Sequence, residues 1–149
     1  MNIKSDLYQL CHEFVDDRIA TIKAAIDDAQ ASANNETKST AGDKHDTSRA
    51  MMQLEVEQKS KQLSETLKLK ETLGKFSDQN TSAIVGLGSV VETSAANYYI
   101  SISAGKLNAG GSDYFAVSGA SPIGQLLLGK KAGDIAQFNG KKIEISAVY

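Results

Sequence analysis

Apolar positions in the first half of the chain recur at helical spacing. Ile3, Leu7, Leu10 and Phe14 step by 4, 3 and 4 residues, and Val15, Ile19, Ile22, Ile26, Ala29 and Ala33 continue at 4, 3, 4, 3 and 4. A seam sustained at this period predicts a long amphipathic helix with a coiled-coil-like stripe. A second, looser seam runs through Met52, Val56, Lys59, Leu63, Leu67 and Leu73, with Leu54 and Phe76 nearby. Glu55–Lys59, Glu57–Lys61 and Glu71–Lys75 are Glu-to-Lys pairs four residues apart, which support an exposed helix face. The first helix is expected from Asn2 to about Ala33, roughly 48 Å, and the second from Thr47 to about Lys75, roughly 43 Å, at 1.5 Å per residue. Two helices of near-equal length joined by a polar stretch most simply form an antiparallel hairpin. The joining stretch, residues 34–46, has no apolar side chain larger than alanine. It is longer than the usual helix connection, which makes it a candidate functional tip.

Beyond Phe76 the period changes. Ala83–Glu92 alternates loosely around Gly86 and Gly88, Asn97–Ser103 is rich in β-branched and aromatic residues, and Tyr114–Val117 reads as a short strand. Ser121 as N-cap, Pro122 at the first helical position and Gly129 as a stop bracket a short helix with the body Ile123–Leu128. Ile135–Phe138 and Lys142–Val148 flank Asn139-Gly140, a hairpin signal. The predicted fold class is α+β. An N-terminal antiparallel helical hairpin covers 1–76, with its tip at 34–46, and a small antiparallel β-domain with one short helix covers 77–149.

Composition sharpens that boundary. Residues 1–76 hold two of the twelve glycines but 11 of the 16 basic and 13 of the 18 acidic residues. A net charge of −2 gives none of the basic surplus that phosphate-driven nucleic-acid binding requires. No apolar run approaches the roughly 20 residues of a membrane span. Met1–Leu10 contains Lys4 and Asp6 and no apolar stretch, so no signal peptide is expected. The single cysteine, Cys11, excludes an internal disulfide framework and fits a reducing cytoplasm.

Several motifs point to structure, not chemistry. Gly124 to Lys131 matches Gly-x4-Gly-Lys but lacks the Ser or Thr that a phosphate loop uses for magnesium, and its middle reads as helix. Gly86-Leu87-Gly88 marks a bulge or sheet bend. Cys11 and His12 are adjacent, hence about 100° apart on a helix, and cannot act as a nucleophile–base pair; Cys11 is expected in the core. His45 lies between Asp43 and Asp46. Those aspartates suit a helix start, with Asp43 as N-cap and Asp46 three residues on, where free amides and the helix dipole favour carboxylates.

The stretch Ser121-Pro-Ile-Gly-Gln-Leu-Leu-Leu-Gly-Lys-Lys-Ala-Gly-Asp134 resembles the C-terminal signature of the bacterial Gre transcript-cleavage factors (GreA/GreB). Gly42-Asp43-Lys44-His45-Asp46 is similar to the Gly-Asp-x-x-acid element at their hairpin tip, with Asp in place of Glu. The resemblance implies a coiled-coil hairpin followed by an FKBP-like β-domain. It also implies docking on RNA polymerase at the mouth of the secondary channel, with the hairpin reaching inward. Asp43 and Asp46 would then help hold a second Mg²⁺ in the polymerase active site, where two-metal chemistry cleaves backtracked RNA. Gly42 would allow the turn, and Glu36 is a spare acid on the same tip. On this reading the chain is not itself an enzyme. It needs no cofactor when isolated, meets nascent RNA only indirectly, contacts no membrane and is monomeric if the hairpin seals its own seam. Ser121, Pro122, Ile123 and Lys130 are the candidate partner contacts. The alternative is a regulator that binds the same channel and inhibits or modulates the polymerase without cleavage.

Overall fold

A computed structural model describes residues 2–36 and 42–149, with backbone alone at 33, 35, 36 and 42–46. Two long helices, α1 (Ile3–Glu36) and α2 (Gly42–Leu73), precede six strands and a short helix. These are β1 (Val90–Thr93), β2 (Asn97–Ser101), β3 (Gly105–Ala109), β4 (Ser112–Ser118), α3 (Pro122–Leu127), β5 (Ile135–Phe138) and β6 (Lys141–Val148). The strands form one sheet in the order β3-β4-β2-β1-β6-β5. Neighbours are antiparallel except β2 and β4, which are parallel. The class is α+β, a helical hairpin followed by a mostly antiparallel sheet with a short helix.

The helices run further than their apolar seams. The expected loop at 34–46 is helical at 34–36 and again from Gly42, and residues 37–41 lie outside the described residues. Both added pieces lack proline, and a helix end needs no apolar partner when its side chains are polar enough to stay hydrated.

The chain divides into two compact units, Val15–Leu69 and the residues up to Phe14 together with Lys70–Tyr149. In the first unit, α1 buries Val15, Ile19, Ile22 and Ala29, a 4-3-7 series that keeps one stripe. Ala25, Asp28, Ala29 and Ser32 line one cleft with Met52 and Glu55 near one end of the helices, while Tyr8 near the start of α1 bonds the Leu73 carbonyl at the end of α2, so the two helices run antiparallel. The stripe of α2 differs from the expected one. It passes through Met52, Val56, Lys59 and Leu63 to a buried Thr66, while Leu67 and Leu54 are about half exposed. Leu67 stands one residue, about 100°, beyond the position that strict 4-3 spacing selects after Leu63. The Thr66 hydroxyl fits the seam because it donates to the Gln62 carbonyl at 2.8 Å.

In the second unit the sheet is covered on both faces. On one, α3 closes a cluster of Val85, Val91, Ile100, Ile123, Leu127, Ile143 and Ile145. The alternate residues of β2, Tyr99 and Ser101, face the other way, towards Cys11 and Phe76 from the helix ends. The Asn139-Gly140 turn forms as predicted, both residues at positive φ, 53° and 78°. A second hairpin, β3–β4, turns at Gly110-Gly111 with φ of 60° and 81°. The expected strand over 83–92 is instead a lone bridge at Ile84, a turn at Gly86–Ser89 closed by Ser89 N–H donating to the Gly86 carbonyl at 3.0 Å, and β1. Gly88 adopts a φ of 89°, which breaks the extended backbone there.

Candidate functional site

Three places carry chemistry, and the start of α2 is the first. Asp43 and Asp46 have helical backbone in its opening turns; their side chains, and those of Glu36, Lys44 and His45, lie outside the described residues. Positions three apart share a helix face, and the first turn favours anions through its unpaired amides. The described helix includes both Gly42 and Asp43, so Asp43 stands inside it and the expected N-cap role moves off that residue. Among the described residues no group of three His, Cys, Asp or Glu is placed to hold a metal ion. Within the same unit, Gln30 and Asn34 face Gln53, Val56 and Glu57 across an open cleft of about 510 Å³. Its walls offer carboxamides and one carboxylate around a single branched apolar side chain.

The second place is α3. The Ser121 hydroxyl accepts from Gly124 N–H at 3.1 Å and donates to the Ser118 carbonyl at 2.6 Å, so one side chain caps the helix and ties it to β4. Pro122 occupies the first turn, where its missing N–H costs nothing. Leu128 N–H returns to the Gly124 carbonyl at 3.0 Å, and Gly129 turns the chain at a φ of 83°. Lys130 then pairs by its carbonyl with Val85 N–H at 2.8 Å. Ser121, Pro122, Ile123 and Lys130 are thus brought to one short element and its exit. Ile123 packs in the sheet core beside Leu127 and keeps only about 9% of its surface exposed. Pro122 is exposed and Lys130 half-buried. Gly124 to Leu127 are helical, so no loop stands there to wrap a phosphate. Ser121→Ala is expected to destabilise the fold by about 1–2 kcal/mol through the lost cap, read as a lower urea midpoint with unchanged slope.

The third place escaped the sequence reading. Under the helix ends, Cys11 Sγ lies 3.6 Å from Ser101 Oγ. Burial raises the Cys11 thiol pKa, and the Ser101 contact partly offsets this. Tyr99 is fully buried, and its hydroxyl has no hydrogen-bond partner among the described residues; burial pushes its pKa up. Tyr8 Oη donates to the carbonyls of Leu73 (2.7 Å) and Phe76 (3.2 Å). Lys4 is buried and donates to the Asn80 carbonyl. Desolvation lowers its pKa, against the charge of Asp78. The only hint of this layer in the sequence was Cys11 beside the apolar seam.

No family model matches the chain, and no curated protein does. Among solved structures the chain is similar to the GreA factor homolog 1 (Gfh1) protein of Thermus thermophilus. Identity is 18% and the TM-score 0.35, over 95% of this chain and 94% of that one. A TM-score this low carries neither a fold nor a function across, so the functional reading rests on this chain's own residues.

Proposed function

We propose that the chain is a Gre-like factor that enters the secondary channel of RNA polymerase and stimulates cleavage of backtracked transcripts. The observation that carries the reading is the hairpin itself. Two long antiparallel helices, α1 ending at Glu36 and α2 described from Gly42, carry the acidic pair Asp43 and Asp46 in the first described turns of α2. The Ser121-capped helix and the Asn139-Gly140 hairpin, both parts of the segment that resembles the Gre signature or lies next to it, add support.

The donor set suits the group that the reading requires. Two carboxylates are hard oxygen donors, and Mg²⁺ takes one or two of them, with water and phosphate filling its other positions. Bound in the polymerase active site, that ion would supply Lewis-acid activation of water and charge neutralisation at the scissile phosphate. The chain's own part is to bring Asp43 and Asp46 as oxygen ligands on a preorganised helix start. The polymerase remains the catalyst, and no cofactor belongs to the isolated protein.

The test is a cleavage assay on stalled, backtracked complexes of the cognate polymerase. Wild type is expected to shorten the RNA, and Asp43→Asn/Asp46→Asn to do so about tenfold more slowly or worse, while still competing with wild type for the polymerase. If neither protein shortens RNA but both slow nucleotide addition, the channel-binding regulator replaces the cleavage reading. If neither binds, both readings fall.

A further inference from the structure

We infer that Met52 is an oxidant-sensitive joint of the helical hairpin. Peroxide converts its thioether to a sulfoxide and loosens the pairing of α1 with α2, while the neighbouring Met51 takes up the same oxidant without structural effect. The chain has three methionines, and two of them stand side by side on α2. Adjacent helical residues point about 100° apart, so the two side chains meet different surroundings. Met51 is 66% exposed. Met52 is half-buried in the seam, where it lines a cleft of about 290 Å³ with Ala25, Asp28, Ala29, Ser32 and Glu55.

What Met52 packs against makes its apolarity matter. The buried stripe of α1 narrows along the helix, from Val15, Ile19 and Ile22 to Ala29. Of the six residues that line the cleft, Met52 has the largest apolar side chain, and Ala25 and Ala29 across from it present only methyl groups. A long, flexible thioether fills such a gap. Oxidation turns that apolar filler into a polar group. To meet the new oxygen, the side chains of the cleft supply one donor, the Ser32 hydroxyl, and two carboxylates, Asp28 and Glu55, that repel it. Swinging the oxidised side chain into water relieves the repulsion but leaves Ala25 and Ala29 without their cover. Either way the pairing weakens at this level. Met51, already in water, gains the same oxygen and loses no packing.

The cleft is open to solvent, which gives a small oxidant access to the Met52 side chain. The sulfur attacks one oxygen of hydrogen peroxide with a lone pair. The O–O bond breaks, an S=O bond forms and water leaves, so sulfur loses two electrons and the peroxide gains them. Reductases for the two sulfoxide epimers restore the thioether.

The experiment treats folded wild type, Met51→Leu and Met52→Leu with hydrogen peroxide. It reads sulfoxide at each methionine by peptide mass spectrometry, and amide exchange along both helices. Leucine keeps the side-chain volume close to that of methionine. Met1 and Cys11 are common to all three proteins, so their own oxidation cancels. Met51 is expected to react first, with exchange unchanged. As Met52 converts, exchange over 22–32 and 48–60 should rise about tenfold in wild type and in Met51→Leu, and the pair of epimer-specific reductases should reverse it. Oxidised Met52→Leu should exchange as it did before oxidation. Unchanged exchange in Met51→Leu after full conversion of Met52 would overturn the proposal. So would an equal rise in Met52→Leu, or a Met52 that resists peroxide until the hairpin is unfolded in urea.

Discussion

Gly124→Ala is expected to destabilise the sheet unit by about 3 kcal/mol or more, a large part of the stability of a domain this size. The junction between β4 and α3 leaves no room for a side chain. Ser121 N–H and Ser121 Oγ both reach the Ser118 carbonyl, and Gly124 N–H comes back to Ser121 Oγ. A Cβ on Gly124 would fall deep inside van der Waals contact of the Ser118 carbonyl oxygen, 2.9 Å from Ser121 Oγ and 3.1 Å from Gly119 Cα. Two of those neighbours are backbone, and the third is the cap, so relief means moving α3 away from the core it closes. Gly129→Ala is the control: its φ is 83° but nothing lies within 4 Å of the added carbon. It should cost only the conformational term, about 1–2 kcal/mol. Urea unfolding of both variants decides the matter. Equal losses would mean that close packing at Gly124 is not what requires glycine.

Gly88→Ala should cost about 3 kcal/mol, from two sources. The residue sits at a φ of 89°, strained for any L side chain, and a Cβ would meet Phe76 Cδ2 at 2.8 Å. The ring cannot easily yield, because it packs edge-on against both Tyr8 and Tyr99, with centroids 5.4 and 6.3 Å away. Gly86→Ala, two residues earlier with ordinary φ and nothing within 4 Å, should stay within about 0.5 kcal/mol of wild type or gain slightly. In a Phe76→Leu background the packing part of the Gly88→Ala loss should shrink, leaving a coupling of about 1 kcal/mol in a double-mutant cycle. Full additivity would remove Phe76 from the explanation.

The legible parts of this chain are those that local chemistry controls. The α1 seam, the Ser121-Pro122 helix start, the Gly129 stop and the Asn139-Gly140 turn all stand where residue type demands them. Each depends on interactions within a few residues, so the sequence reading needs no knowledge of the rest of the molecule. The hairpin at Gly110-Gly111 is equally local, yet the residue pattern does not predict it, because β3 (Gly-Lys-Leu-Asn-Ala) offers little β-branched signal beside its turn. The misplaced strand over 83–92 has the opposite cause. Its alternation is real, but Gly88 at positive φ breaks the extended backbone where it passes close to Phe76, a residue just beyond the end of α2.

Of the candidate site, the acidic pair and its place in a long helix were readable from spacing and polarity. Asp43 and Asp46 signal a helix start by their capping chemistry, whereas the apolar period places it only at Thr47, since a helix end without an apolar stripe leaves no periodic trace. The sequence by itself determined which segments are helix, which are extended and where the sharpest turns fall, because φ preferences, caps and periodicity act at short range. The tertiary structure alone decided three things. Thr66, not Leu67, completes the α2 seam; Ile123 packs into the core; and a tyrosine hydroxyl is buried beneath the helix ends with no hydrogen-bond partner among the described residues. Each depends on which surface another element brings against it, and burial of that kind is a property of pairs of surfaces that no single segment encodes.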